Sequence, residues 1–377
     1  MNHIFPQSED NILEVPIYKR VFMFWQSPST TPPPGYLELC IETLVRFHKN
    51  LVIIFLNYDN LPLLIGEEID LRAFSVLSLP MQSDVLKVYF TYKYGGTFMD
   101  ADMLFVDTFD LLQNSDSDKL CMLGVPGKYL QMALFHSCKP NNFLLWHILQ
   151  MQVSKLSILP PGCKDYHSIP WDYVGNSIVN PMAFESEKLL KSQLSIIPTT
   201  SMYLEDKFEL SQKYDPAVGL VPLYQEFYFS NYTKVSIEEI INTPQHGIVI
   251  LHNSWTPIKY KTMSANEFMQ QDILLARIFQ HILQTNIIDD NLLIKIPIAQ
   301  SSTLTNKTYE QSDVEKHFCY TIIRDYVNKG LMKEMKEIKN SYENSTSWKL
   351  TQPMRAISRF IKKFRQKKLT CKLLRWH

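Results

Sequence analysis

SDVLKVYFTYKYGGTFMDADMLFVDTFD, residues 83–110, is the stretch whose reading decides the fold. A helical apolar pattern runs to Tyr94, a Gly95-Gly96 turn follows, and then comes a strand interrupted by Asp100 and Asp102. Glycine reaches backbone angles closed to other residues, so the pair can turn the chain sharply from helix into strand. Residues two apart on a strand project to one face, which would set the two carboxylates side by side. Phe98, Met99, Met103, Leu104, Phe105 and Val106 bound them. Two like charges in apolar surroundings are costly unless neutralised, and a hard divalent cation shared with substrate phosphates is the usual solution.

Strand and helix alternate around this block. Lys19–Trp25 reads as a first strand, the Pro-rich 27–35 as a loop, Tyr36–Asn50 as a helix and Leu51–Leu56 as a buried strand. Leu71–Leu79 is expected to be a short strand or turn, and Asp84–Tyr94 a helix. Further on, Phe143–Gln152, Ala183–Ser192, Ala265–Thr285 and Val314–Asn340 have helical spacing, and His246–Trp255 is a strand ending in a polar loop. The alternation predicts an α/β domain with a mostly parallel sheet covered by helices.

The chain has 377 residues, 45% of them hydrophobic, enough for one large domain with appendages or for two. Its longest apolar runs are strand-sized, well short of a membrane span. MNHIFPQSED, residues 1–10, lacks a basic-then-apolar leader pattern, and the six cysteines show no C-x-x-C spacing; both suit a reduced, cytoplasmic setting. Lysine plus arginine and aspartate plus glutamate are equal at 38 each, but unevenly placed. After Glu343 there is no acidic residue, and residues 345–377 hold ten basic ones, leaving 28 basic against 38 acidic in the rest. Met354, Ile357, Ile361 and Phe364 form an apolar stripe beside those charges. The stripe, with Trp348 and Trp376, predicts an amphipathic helix on an anionic membrane surface; docking on the acidic body or on nucleic acid is the alternative.

The block Ser83-Asp84, a spaced basic residue, Tyr94-Gly95-Gly96, an aromatic and Asp100-x-Asp102 resembles the sugar-donor motif of DXD glycosyltransferases, most of all the family-32 capsular polysaccharide and mannosyltransferase group. The glucosylating domain of large clostridial toxins is a more distant resemblance. Looser similarity runs from Val15 to Ser264. It implies a glycosyltransferase A-type fold, with a catalytic domain over 1–270, a helical extension over 271–343 and a basic amphipathic tail over 344–377. It also implies a hexosyltransferase with Mn²⁺ or Mg²⁺ as cofactor, a nucleotide-sugar donor (uridine being the commonest base) and retention of configuration. A haloacid dehalogenase-type phosphatase also ends a strand in D-x-D, but needs Thr or Val soon after the second acid, where this chain has Met103. A phosphoryl- or nucleotidyl-transfer enzyme and a non-catalytic glycan or membrane adaptor remain alternatives.

Carried onto this sequence, the resemblance makes Asp102 a direct metal ligand and places Asp100 on ribose and the metal shell. Asp84 would bind donor-sugar hydroxyls, with Ser83 beside it; an ordinary helix N-cap is the competing reading of that pair. Lys87 stands where the family has Arg, keeping the charge without the planar fork. Trp25, at the end of the first strand, either stacks on the nucleobase or packs in the core. His252-Asn253-Ser254-Trp255 would lie over the diphosphate, with His252 as third metal ligand, Asn253 as its substitute, and Ser254 and Trp255 donating to the leaving phosphate. Asn180-Pro181 resembles a turn before a helix. The tail resembles the S-T-S-W end of bacterial polysaccharide glycosyltransferases. With its basic charge, this implies a peripheral enzyme on the inner face of the cytoplasmic membrane. Such an enzyme would act on glycan or lipid-linked acceptors in capsule or O-antigen synthesis, with no nucleic-acid partner.

Overall fold

The computed structural model describes residues 2–27, 31–114, 118–157, 169–185, 193–200, 202–210 and 219–304. These lie in one compact unit, Met1–Lys307. The expected helix over Val314–Asn340 and the basic tail fall outside the described residues. Among the described residues, no helix is long and apolar enough to cross a membrane.

The strands are β1 (His3–Ile4), β2 (Arg20–Phe24), β3 (Val52–Leu56), β4 (Gly96–Met99), β5 (Met103–Phe105), β6 (Leu120–Val125), β7 (Tyr129–Ser137), β8 (Leu194–Pro198) and β9 (Ile248–Ile250). Seven of them form a sheet in the order β1-β3-β2-β4-β7-β6-β8, and β5 pairs with β9 separately. The β1–β3, β3–β2, β2–β4 and β6–β8 pairs are parallel, while β7 runs antiparallel to both β4 and β6. The sheet is thus mixed and mostly parallel, as the α/β alternation predicts.

Strand periodicity divides the core in two. Val21 and Met23 of β2, with Ile53 and Phe55 of β3, face a cluster that includes the helix Gly35–Phe47. Phe22 and Phe24, with Ile54 and Leu56, face the opposite cluster, built with the helices Leu79–Tyr94 and Phe143–Ser157. Helices therefore cover both faces, which is why β2 and β3 are buried almost throughout.

The boundary expected at residue 270 is not where the unit ends. Leu274, Leu275, Ile278, Phe279 and Ile282 of the helix Leu274–Leu283 are buried in the first cluster. That apolar face completes the core, so the helix cannot belong to a separate extension. Ala265–Thr285 is two helices, Ala265–Met269 and Leu274–Leu283, rather than one. Leu71–Ser75 is a short helix capped by Asp70, where a strand or turn was expected. Pro181 lies inside the helix Asn176–Glu185, so Asn180-Pro181 is not a turn before a helix.

The helix leading to the acids also begins earlier than its apolar pattern suggests. It spans Leu79–Tyr94, with Ser78 at its N-cap and proline in the first turn, where a missing N–H costs nothing. Ser83 and Asp84 therefore sit inside the helix, and the N-cap reading of them is excluded. Gly96 has φ +95°, and a Cβ there would lie 2.7 Å from Arg20 Cβ. Only glycine lets β4 start this close to β2.

Candidate active site

β4 delivers the chain to Asp100, and β5 takes it away at Met103. The acids are thus in a turn between two strands rather than on one strand, and the same-face argument from strand geometry does not apply. What joins them is a set of contacts from three other segments.

The first is the helix Leu79–Tyr94. Lys87 Nζ lies 2.6 Å from Asp100 Oδ1 and 3.4 Å from Asp84 Oδ1, with the lysine side chain 2% exposed. Spacing of three residues puts Asp84 and Lys87 on one helix face. Burial alone would lower the Lys87 pKa, but Asp100 and Asp84 more than offset it and leave it above its ordinary value. Asp84 is pushed up to about 7, chiefly by burial and further by Asp100, against the pull of Lys87. A Cβ on Gly175 would lie 2.2 Å from Asp84 Oδ2, so this glycine leaves the carboxylate its room. Gln152 Nε2 donates to the Asp84 carbonyl (3.1 Å) and the Val174 carbonyl (2.7 Å), fixing that wall.

The second is the segment after β9. The N–H of Asn253 donates to Asp102 Oδ2 at 2.9 Å, and the N–H of Leu251 donates to the Asp102 carbonyl at 3.1 Å. The third is the start of the helix Gly35–Phe47, where Tyr36 Oη donates to Asn253 Oδ1 at 2.6 Å. Asp102 is pushed up to about 7 by burial first and by Asp100 second; the Asn253 N–H and Lys87 pull the other way.

Three carboxylates share one ammonium, so the cluster carries two net negative charges when fully ionised. All the donors in excess are oxygens, which suits a hard divalent cation. Among the described residues no group of three His, Cys, Asp or Glu side chains is placed to hold a metal. The protein side of such a site would therefore be Asp102 with Asp100, the remaining ligands coming from phosphate and water, as is usual for Mg²⁺.

His252 does not join the acids as a third ligand. Its ring stacks on Tyr203 (5.6 Å, 7° between planes) and lies 4.0 Å from the Trp255 ring. Burial lowers its pKa to about 4, which keeps it neutral. Asn253 serves Asp102 through its backbone N–H, while its side chain is engaged by Tyr36. Ser254 and Trp255 follow in the short 3₁₀ turn Asn253–Trp255, with Ser254 exposed. Trp25 is half-buried against the core, and its indole Nε1 has no acceptor among the described residues.

The structure thus brings together Asp84, Lys87, Asp100, Asp102 and Asn253, and leaves Trp25 without a described contact to them. Tyr36, Gln152 and Gly175 escape sequence reading, because each acts through a partner far away in the chain. Glu205 also escapes it: it is 3% exposed, accepts from Tyr228 Oη at 3.0 Å, and is pushed up to about 7 by burial. One signal for it was present. Met202-Tyr203-Leu204 precedes two acids, Glu205 and Asp206, much as Phe98-Met99 precedes Asp100 and Asp102.

Residues 34–118 match the family model described as a glycosyltransferase sugar-binding region containing the DXD motif. A solved structure described as PaToxG glycosyltransferase is similar at 14% identity, over 73% of this chain and 92% of that one, with a TM-score of 0.30, too low to carry an argument. No curated protein matches the chain. The helix Gly35–Phe47, the Lys87 bridge and both motif acids lie within the matched span.

Proposed function

We propose that the chain transfers a hexose from a nucleotide-sugar donor, uridine-linked in the first instance, to a glycan or lipid-linked glycan acceptor, with Mn²⁺ or Mg²⁺ as cofactor. The observation that carries this reading is the acid turn itself: Asp100 and Asp102 lie inside the matched span and, with Asp84, share one ammonium, which leaves two uncompensated charges when all three are ionised. Asp102 and Asp100 would hold the cation, which supplies positive charge where the leaving diphosphate becomes more negative.

The chain's own residues set the geometry. Lys87 holds Asp100 and Asp84 in place from within the helix. Asn253, held by Tyr36, orients the Asp102 carboxylate. Asp84, given space by Gly175, would accept from hydroxyls of the donor sugar, and the buried indole N–H of Trp25 has no partner among the described residues. Retention of configuration and a role in capsule or O-antigen assembly are proposed from the motif resemblance alone. Peripheral attachment to the inner face of the cytoplasmic membrane rests on the ten basic residues and apolar stripe of 345–377.

Calorimetry with uridine diphosphate tests the reading. Binding that needs Mn²⁺ and disappears in Asp102→Asn is expected. Equal binding with and without the metal would contradict it.

A further inference from the structure

The sheet face that packs on the first core cluster carries one polar row. Thr97 of β4 stands opposite His136 of β7, His136 opposite Cys121 of β6, and Cys121 beside Ser195 of β8. Four neighbouring strands thus each place one polar side chain at the same level. One step along, the same face carries Met99, Leu134, Leu123 and Ile197, all apolar. None of the roles assigned above uses the polar four.

One atom of the row has no partner. His136 is 4% exposed, and its Nε2 meets no hydrogen-bonding group among the described residues, whereas its Nδ1 lies 2.8 Å from Thr97 Oγ1. An orphaned buried polar atom is costly, and each one calls for an explanation. Because Nδ1 faces β4, Nε2 is turned away from it, to the β6 side where Cys121 stands. Burial takes the His136 pKa down to about 4, so the ring is neutral. With Nδ1 donating to Thr97, Nε2 presents a lone pair. Cys121 is 3% exposed and in no disulfide. Its Sγ has the Lys119 carbonyl at 3.9 Å and the Ser195 hydroxyl as polar neighbours, and burial pushes the thiol up to about 11.

A thiol and an imidazole lone pair on adjacent strands are the donor set of a soft metal ion. Among the described residues no third His, Cys, Asp or Glu is placed to join them, so the site is two-coordinate. Cu⁺ and Ag⁺ accept two ligands, whereas Zn²⁺ takes four. Charge selects the same class. One thiolate, one neutral imidazole and a monovalent ion sum to zero, while a divalent ion would leave a net positive charge buried. We propose that Cys121 Sγ and His136 Nε2 form a buried site for a soft monovalent cation, Cu⁺ in the first instance, with Thr97 and Ser195 holding the two ligands in place. Binding forms the sulfur–metal bond and releases the thiol proton to solvent, with no change of oxidation state.

Anaerobic titration of the reduced full chain with Cu⁺ against the chelator bathocuproine disulfonate tests this, with Zn²⁺ as the divalent control. One ion per chain is expected to resist the chelator, and X-ray absorption at the copper edge is expected to show one nitrogen and one sulfur. Cys138, half-buried just beyond β7 and close enough to raise the Cys121 pKa, is the control thiol: Cys138→Ser is expected to keep the ion. Cys121→Ala is expected to lose it. Thr97→Val is expected to weaken it about tenfold, the effect of a lost outer partner that orients a ligating histidine. His136→Phe is expected to remove the nitrogen from the spectrum. Failure of the native chain to hold Cu⁺ against the chelator, or a shell of sulfur alone, would overturn the proposal. Undiminished uptake by Cys121→Ala, or Zn²⁺ held as tightly as Cu⁺, would do the same. The native spectrum reads the nitrogen directly, so a variant that does not fold leaves the outcome decided.

Discussion

Lys87 Nζ sits 2.6 Å from Asp100 Oδ1 with its own side chain almost fully buried, so one ammonium is the hinge of the acidic cluster. Removing it leaves Asp84 and Asp100 facing each other without compensation. Lys87→Met is expected to destabilise the fold by about 3 kcal/mol, the low end for a broken buried pair, because Asp100 keeps partial contact with water. Denaturant midpoints measure this. The double variant Lys87→Met/Asp100→Asn is expected to recover part of the loss; simple additivity would show that the pair is not coupled.

Glu205 predicts a pH dependence of stability. Its carboxyl is raised from 4.5 to about 7 by burial, so the folded state favours the protonated form. The stability that this contributes is complete below the ordinary carboxyl value and is lost as pH rises through about 7, amounting to about 3 kcal/mol over the full window. Asp84 and Asp102 shift in the same direction. Glu205→Gln keeps an acceptor for Tyr228 and is expected to flatten the fall in stability between pH 5 and pH 8 without abolishing it. An unchanged slope would place the titration elsewhere.

Much of this organisation is legible in the sequence, and the illegible parts have physical reasons. Val21–Phe24 and Ile53–Leu56 read as buried strands because both of their faces are covered. Gly95-Gly96 marks the turn into β4 because only glycine fits there. By contrast, Asp100 and Asp102 look like strand residues, since their apolar neighbours belong to two different strands, β4 and β5. Pro80 and Pro181 mislead in opposite ways: one opens a helix earlier than its apolar pattern, the other sits inside one. The partner of Asp102 is a backbone N–H 151 residues away, which leaves no side-chain signature to read.

Tyr36 acts on Asp102 at one remove. Its hydroxyl holds Asn253 Oδ1 at 2.6 Å, and Asn253 holds Asp102. Tyr36→Phe leaves that oxygen without its donor and is expected to cost about 1 kcal/mol of stability. Sugar transfer is expected to fall about tenfold through looser placement of Asp102, an effect on kcat rather than KM. A variant with full kcat would detach Tyr36 from the site.

Gly175 tests the space around Asp84. A Cβ there would meet Asp84 Oδ2 at 2.2 Å, so Gly175→Ala must push the carboxylate or the backbone aside. The expected cost in stability is about 1–3 kcal/mol, as for other overpacked sites. Donor affinity is expected to fall as well. Unaltered donor affinity in a folded variant would argue against a role for Asp84 in holding the sugar.

The central claim is that Asp100 and Asp102 serve sugar transfer from a nucleotide donor. The most direct measurement is product release from uridine-linked sugars by the full chain with Mn²⁺, compared with Asp102→Ala. The account predicts uridine diphosphate and free or transferred sugar from the native chain, with loss of about a hundredfold or more in the variant. Release of pyrophosphate or inorganic phosphate in place of the nucleoside diphosphate, or equal activity in Asp102→Ala, would contradict it.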